Sequence, residues 1–170
     1  MFEVKLSPRR IEDLSVVVPQ DRINRLRDDV VPRMKEKLNG NQIINVNSTA
    51  AGGGVAEMLH VLLPLTLGVG VPTRWFVLEG DPESFAVTKR LHHRLHGNEG
   101  DAGHLGPDEQ AVMRRVTDAN VDVLLDNITP GDVVILHDPQ PAPMAAILAA
   151  RGVPVVWRCH VGVDFDNLFT

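Results

Sequence analysis

Three consecutive glycines, Gly52 to Gly54, stand where a backbone could contact a ligand directly. They follow the apolar run QIINVN and precede VAEMLHVLLPLTLG, whose apolar residues repeat at helical spacing. A bare turn between a strand and a helix lets a phosphate or sugar oxygen approach the free N–H groups at the helix N-terminus. The stretch is neither G-x-G-x-x-G nor a P-loop, because Glu57 replaces the last glycine and no Gly-Lys-Ser/Thr follows. We interpret it as a ligand-contacting loop; the alternative is a tight turn.

A second candidate is HDPQP, His137 to Pro141, which follows the apolar run DVVIL. A His-Asp pair at the end of a strand can bind sugar hydroxyls or transfer protons. In the alternative interpretation, Asp138 caps the following helix and His137 has no role in a site.

A third candidate is the stretch RCH after the apolar run VPVVW. Arg158 supplies a fixed positive charge, and His160 supplies a donor or an acceptor. Cys159 would be a nucleophile only with a nearby base and a depressed pKa, so we expect a buried, inert thiol.

Other polar clusters favour structural roles. His92, His93 and His96 lie at helical spacing, but no H-E-x-x-H surrounds them, so we expect a solvated helix face and no metal. Glu79 and Asp81 precede a helix, where Asp81 is well placed to cap.

The composition indicates one ordinary globular domain. The chain has 170 residues, of which 44% are hydrophobic and 23% charged, and a formal net charge of -5. Without a basic stripe, and with only 4% aromatic residues, nucleic acid is not an expected partner. One cysteine, no apolar leader and no membrane-length apolar run predict a cytoplasmic protein without membrane partners.

Strand-like and helix-like segments alternate from Gln42 onwards. This alternation predicts an α/β domain with a Rossmann-like, doubly wound parallel sheet and helices on both faces. Residues 1–39 are predicted to be an N-terminal helical extension ending at Asn39-Gly40, and residues 40–170 the Rossmann-like domain. Because ligands bind beyond the carboxyl ends of parallel strands, the three candidate stretches are expected to converge on one cleft.

The sequence resembles the N-terminal domain of the glycosyl-transferring trehalose synthases over about residues 42–160. These are retaining family 4 glycosyltransferases of the GT-B fold, related to the trehalose phosphorylases. The resemblance rests on four stretches taken together: NVNSTAAGGGVAEMLH, RWFVLEGDPESFAVTKRLHHRLHGN, VVILHDPQP and WRCH.

The resemblance implies transfer of glucose from a nucleotide-glucose (ADP- or UDP-glucose) to glucose, giving trehalose. His160 would lie beside the transferred sugar, with Asp138 as the second catalytic residue. The residues implied in substrate binding are Gly52, Gly53, Gly54, His137, Gln140 and Arg158. The resemblance implies no metal site and no cofactor in this chain; Mg²⁺ is left open for the full-length enzyme.

The sequence departs from the family in its length. No second Rossmann-like domain with the nucleotide-sugar site follows, so the missing C-terminal domain is an expected partner and the chain alone is expected to be inactive. Self-association as a homodimer is left open. The alternatives are half of a trehalose phosphorylase, or a sugar-binding or assembly module without catalysis.

Overall fold

The computed structural model describes residues 1–164 and residue 166, and a five-stranded sheet lies at its centre. The strands are β1 (Phe2–Glu3), β2 (Ile43–Asn47), β3 (Thr73–Val77), β4 (Val133–His137) and β5 (Val155–Arg158). Their order across the sheet is β1-β3-β2-β4-β5. The four longer strands are parallel, and β1 is antiparallel to β3.

Helices precede β2 and connect the four parallel strands, as the alternating pattern predicts. They are α1 (Gln20–Arg25), a π-helical turn (Leu26–Val30), α2 (Val31–Leu38), α3 (Gly54–Gly68), α4 (Pro82–Leu95), α5 (Pro107–Leu125) and α6 (Met144–Ala150). A 3₁₀ helix (Ile11–Val16) precedes α1. The prediction of a Rossmann-like α/β fold is confirmed.

Apolar side chains cover both faces of the sheet. On one face, Ile44 and Val46 pack with side chains of α5 and α6. On the other face, Trp75 and Val77 pack against α3. Successive residues of a strand point to opposite faces, so Asn45 of β2 lies on the α3 face.

The N-terminal segment differs in part from the predicted helical extension. The helical run does end at Asn39, whose φ of +47° places it in the left-handed region. However, Phe2 and Glu3 form an edge strand of the sheet, which we did not predict. A two-residue strand is too short to show a periodic pattern, and only pairing with β3 defines it.

The segments that leave β2, β4 and β5 lie at one edge of the sheet, beyond the carboxyl ends of these strands. The turn after β2 contains Gly52 and Gly53, Gly54 begins α3, and the turn after β4 contains the prolines of HDPQP. The predicted proline-opened helix begins later than its prolines, at Met144. The expectation that no further complete element follows β5 falls partly on residues outside the described ones.

Candidate functional site

A cleft of about 380 Å³ opens at the carboxyl edge of the sheet. The turns after β2 and β4, the residues after β5 and one residue of α4 line it, so the predicted convergence is confirmed. The lining residues are Asn47, Ser48, Thr49, Gly52, Gly53, Gly54, Val55, Ala56, His92, His137, Asp138, Gln140, His160 and Val161.

The glycine loop is bare because of its backbone conformation. Gly52 has a φ of +74° and Gly53 a φ of +88°, a region that L side chains rarely adopt. A Cβ atom at either residue, or at Gly54, would meet nothing within 4 Å, so close packing does not explain the glycines. Gly53 also offers no side chain to cap α3. The N–H groups of the first turn of α3 can therefore bind a ligand oxygen.

The residues just before the glycines are firmly held. The side-chain amide of Asn47 donates to the carbonyl of Thr49 at 2.8 Å, and its Oδ1 accepts from Trp75 Nε1 at 2.8 Å. His60 Nε2 lies 2.8 Å from the carbonyl oxygen of Ala50. The segment before the glycines is therefore held in place by hydrogen bonds, whereas the glycine loop that follows it is open to the cleft. We did not identify Asn47 as a site residue, although an asparagine in a buried strand is a signal for it.

Asp138 joins the ends of β4 and β5. Its Oδ1 accepts from the backbone N–H of His160 at 2.7 Å, and its own N–H donates to the carbonyl of Arg158 at 2.9 Å. Its φ of +68° is a left-handed conformation that aspartate tolerates better than most residues. The alternative that Asp138 caps the following helix is wrong, because α6 begins only at Met144 and has no side-chain cap.

His137 is 2% exposed and contacts polar groups through both ring nitrogens. Nε2 lies 3.0 Å from Asn45 Oδ1, and Nδ1 lies 3.1 Å from His160 Nε2. The pKa of His137 is lowered from 6.5 to about 4, chiefly by burial and then by the positive charges of His160 and Arg158, against the carboxylate of Asp138. His137 is therefore a neutral imidazole at pH 7.

His160 itself is exposed and lines the cleft. Its ring is stacked on that of His137, with centroids 5.4 Å apart and planes 23° apart. The backbone is held by Asp138 and the ring by His137, so this imidazole has a defined position at the mouth of the cleft.

Two other residues of this region do not line the cleft. Arg158 is exposed, and its side chain acts on the cleft only through its charge. Cys159 is exposed as well, so the expectation of a buried thiol is wrong. The physical reason is that β5 lies at the edge of the described sheet and Cys159 follows its last residue.

Gln140 does line the cleft, in the turn after β4. Its Oε1 is buried and has no hydrogen-bond partner among the described residues. A buried acceptor in this position can receive a hydrogen bond from a ligand hydroxyl.

His92 is a cleft residue that we did not predict. It is half-buried, its ring stacks on His96 with centroids 4.5 Å apart, and it does not lie on a solvated face. Burial lowers the pKa of His92, and repulsion from His96 and His93 acts in the same direction. The sequence carried no clear signal for this, because Thr88 and Ser84, one and two turns before His92, are polar and only the structure shows that they are buried.

The remaining predictions concern metal ligands and the two acidic residues before α4. Among residues 1–164 and 166, no group of three or more His, Cys, Asp or Glu side chains could hold a metal ion. Asp81 is confirmed as a cap, because its Oδ1 accepts from the N–H of Ser84 at 2.8 Å. Glu79 instead accepts from the N-terminal ammonium group of Met1.

No helix in the described part of the chain is both long and apolar enough to cross a membrane.

These features define a class: a Rossmann-like α/β domain with a candidate ligand cleft at the carboxyl edge of its sheet, lined by a glycine loop and histidines. Residues 45–168 match the family model described as the N-terminal domain of trehalose synthase. The chain belongs to this family.

Curated relatives agree with that assignment. The chain is 35% identical to the trehalose synthase of Pyrococcus horikoshii over 170 residues, covering 98% of this chain and 39% of the relative. It is 36% identical to that of Thermococcus litoralis over 160 residues, covering 94% and 36%. A trehalose phosphorylase of Pleurotus pulmonarius is 31% identical over 134 residues, covering 71% and 17%. The chain thus spans well under half the length of these relatives.

Proposed function

We propose that the chain is the acceptor-side domain of a retaining glycosyltransferase that transfers glucose from ADP- or UDP-glucose to glucose, forming trehalose. The observation that carries the proposal is the convergence of the glycine loop, the His137-Asp138 pair and His160 on one cleft. Family membership supplies the substrate class, because the relatives that match most of the chain are named trehalose synthases.

The transfer exchanges one bond at the anomeric carbon for another. The bond from C1 of the donor glucose to the phosphate oxygen breaks, and a bond from C1 to the anomeric oxygen of the acceptor glucose forms on the same face. The acceptor hydroxyl gives its proton to the departing phosphate oxygen, and a nucleoside diphosphate leaves. The protein's task is to position both sugars and to stabilise the charge that develops.

The glycine loop would stabilise the phosphate side of this reaction. The N–H groups at the start of α3 and the positive end of its dipole favour an anionic oxygen. Gly52 and Gly53 keep the approach free of side chains, and all three glycines line the cleft.

The opposite wall would hold the sugars. His160 would lie beside the transferred glucose, and Asp138 supports it by accepting from the backbone N–H of that histidine. His137 and Gln140 contribute to the acceptor side of the same wall. Arg158 would contribute only its charge, because its side chain does not line the cleft.

The remaining substrate contacts belong to a second domain in this proposal. The chain covers 39% of the Pyrococcus relative, and the donor nucleotide needs contacts beyond the one cleft described. We therefore expect no trehalose formation by this chain alone, with ADP-glucose or UDP-glucose and with or without Mg²⁺. Sustained trehalose formation would contradict the division of the site between two domains.

A trehalose phosphorylase is the second candidate, favoured by the match to the Pleurotus enzyme over 71% of the chain. In that reaction inorganic phosphate takes the place of the nucleotide, and the same glycine loop would bind it. An activity assay of the chain together with its second domain distinguishes the two. The synthase predicts trehalose from nucleotide-glucose and glucose, whereas the phosphorylase predicts glucose 1-phosphate and glucose from trehalose and inorganic phosphate.

The direct test is titration of the chain with glucose and trehalose by ligand-observed NMR. We expect weak binding that is lost in His160→Ala and kept in His104→Ala, which removes an exposed histidine outside the cleft. Equal binding by both variants would contradict the assigned pocket. Absence of binding by the folded chain would refute the acceptor-side assignment for this domain in isolation.

A further inference from the structure

Three polar side chains form a continuous line from the middle of the sheet to the mouth of the cleft. Asn45 comes from β2, His137 from the end of β4, and His160 from the segment after β5. The contacts are 3.0 Å from Asn45 Oδ1 to His137 Nε2, and 3.1 Å from His137 Nδ1 to His160 Nε2. Asn45 is 3% exposed and does not line the cleft.

The two hydrogen bonds of His137 depend on each other. A neutral imidazole carries one proton, so one ring nitrogen donates and the other accepts. Since Asn45 presents its carbonyl oxygen, Nε2 of His137 must donate to it. Nδ1 of His137 is then an acceptor, and the proton in the second hydrogen bond must come from His160 Nε2.

We propose that Asn45 is a positioning residue of the cleft, acting through His137 to fix the proton of His160 on Nε2. The neutral His160 ring is thereby left with its lone pair on Nδ1. This nitrogen can accept a hydrogen bond from a ligand hydroxyl at the mouth of the cleft. That the ligand of His160 Nδ1 is a sugar rests on the proposed function. The positions of the protons on His137 and His160 do not.

The charges around His137 favour its neutral form, and with it the chain of hydrogen bonds from Asn45 through His137 to His160, here called the relay. The groups that act on its charge are Asp138 after β4, and Arg158 and His160 from β5 and beyond. On the side of β2 its partner is the uncharged Asn45. Burial opposes a second proton on His137 most strongly, and the positive charge of Arg158 acts in the same direction.

The orientation of the Asn45 amide decides the direction of the relay. In the orientation described, Nδ2 has no hydrogen-bond partner among the described residues. The opposite orientation would place Nδ2 against the ring and reverse both hydrogen bonds. His160 would then accept on Nε2 and carry its proton on Nδ1, so the two arrangements differ in an observable way.

Long-range ¹H–¹⁵N NMR of the chain labelled with ¹⁵N-histidine tests the proposal at pH 7 without any ligand. His137→Gln and His160→Gln provide the assignments. We expect the Nε2–H form for both neutral rings in the wild-type chain. The Nδ1–H form of His137 in the wild-type spectrum would overturn the proposal without recourse to any Asn45 variant.

Two substitutions test the part played by Asn45. Asn45→Leu removes the acceptor at similar volume, and His137 should then shift at least tenfold towards the Nδ1–H form, because its Nε2–H would otherwise be buried without a partner. Asn45→Asp keeps an acceptor and should keep the proton on Nε2 of His137, whether or not its carboxylate also draws a second proton onto the ring. An unchanged ratio in folded Asn45→Leu would overturn the role of Asn45.

Sugar titration of the same variants separates this proposal from the proposed function. We expect at least fivefold weaker glucose binding by Asn45→Leu than by Asn45→Asp. If the wild-type chain binds no sugar but shows the expected proton positions, the proposed function fails and the relay stands. If sugar binds while His137 shows the Nδ1–H form, the relay fails and the proposed function stands.

Discussion

The buried imidazole of His137 should make the chain less stable in weak acid. Its pKa is about 4 in the folded chain, against an ordinary value of 6.5. Between these two values the unfolded chain binds a proton that the folded chain does not. The contribution of His137 to stability is therefore fully present above pH 6.5 and is lost as the pH falls towards 4.

The size of this effect follows from the difference in pKa. Each unit corresponds to about 1.4 kcal/mol, so about 3 kcal/mol of unfolding free energy should be lost between pH 7 and pH 4 because of His137 alone. In His137→Gln this loss should be absent. The variant pays a constant cost for its altered hydrogen bonds, but its stability should fall less steeply with acidification than that of the wild type.

Urea denaturation at pH 7, 5.5 and 4 measures the effect, with the fluorescence of the fully buried Trp75 as reporter. The quantity of interest is the difference in unfolding free energy between wild type and His137→Gln at each pH. His104→Gln, which removes an exposed histidine, serves as the control and should run parallel to the wild type. Parallel profiles for His137→Gln as well would refute the reasoning, because they would show that His137 titrates alike in both states.

Three further residues are tested by substitution, Gly53 and Asp138 in the cleft and Asp132 at the amino ends of β2 and β4, with urea denaturation at pH 7 as the common measurement. Gly53→Ala should cost about 1–2 kcal/mol because of its φ of +88°, whereas Gly54→Ala, which has a favourable φ and equal space, should be nearly neutral; equal costs would contradict this explanation. Asp138→Ala should cost about 1–2 kcal/mol and weaken sugar binding, whereas Asp138→Asn should retain most of both, since asparagine tolerates the left-handed backbone and offers an acceptor. Asp132→Ala should cost about 3 kcal/mol, because this fully buried carboxylate accepts from the N–H groups of Gln42 and Thr129; a cost below about 1 kcal/mol would refute its structural role.

The fold was largely predictable because its signals are local. Short apolar strands, amphipathic helices and the glycines and prolines that end them are patterns of neighbouring residues. These patterns predicted the alternation of strands and helices along the chain. The edge strand Phe2–Glu3 was missed for the same reason: two residues carry no period, and its partner Phe76 lies far along the chain.

The position of the candidate site was predictable from one rule, that ligands bind beyond the carboxyl ends of parallel strands. Gly52, His137 and His160 were selected in this way, and all three line the cleft. Exposure was harder to predict. Cys159 follows an apolar run that is typical of a buried strand, but β5 lies at the edge of the described sheet, so the thiol is exposed.

The sequence by itself determined the elements and the chemistry available at their ends. Only the tertiary structure decided which polar groups meet. Asn45 lies 92 positions from His137, and no local pattern links an asparagine in one strand to a histidine at the end of another. Their contact depends on β2 and β4 being neighbours in register, and on both side chains facing α3. The hydrogen bond between Asn45 and His137 is thus a product of strand pairing, which is why this relay becomes visible only in the folded chain.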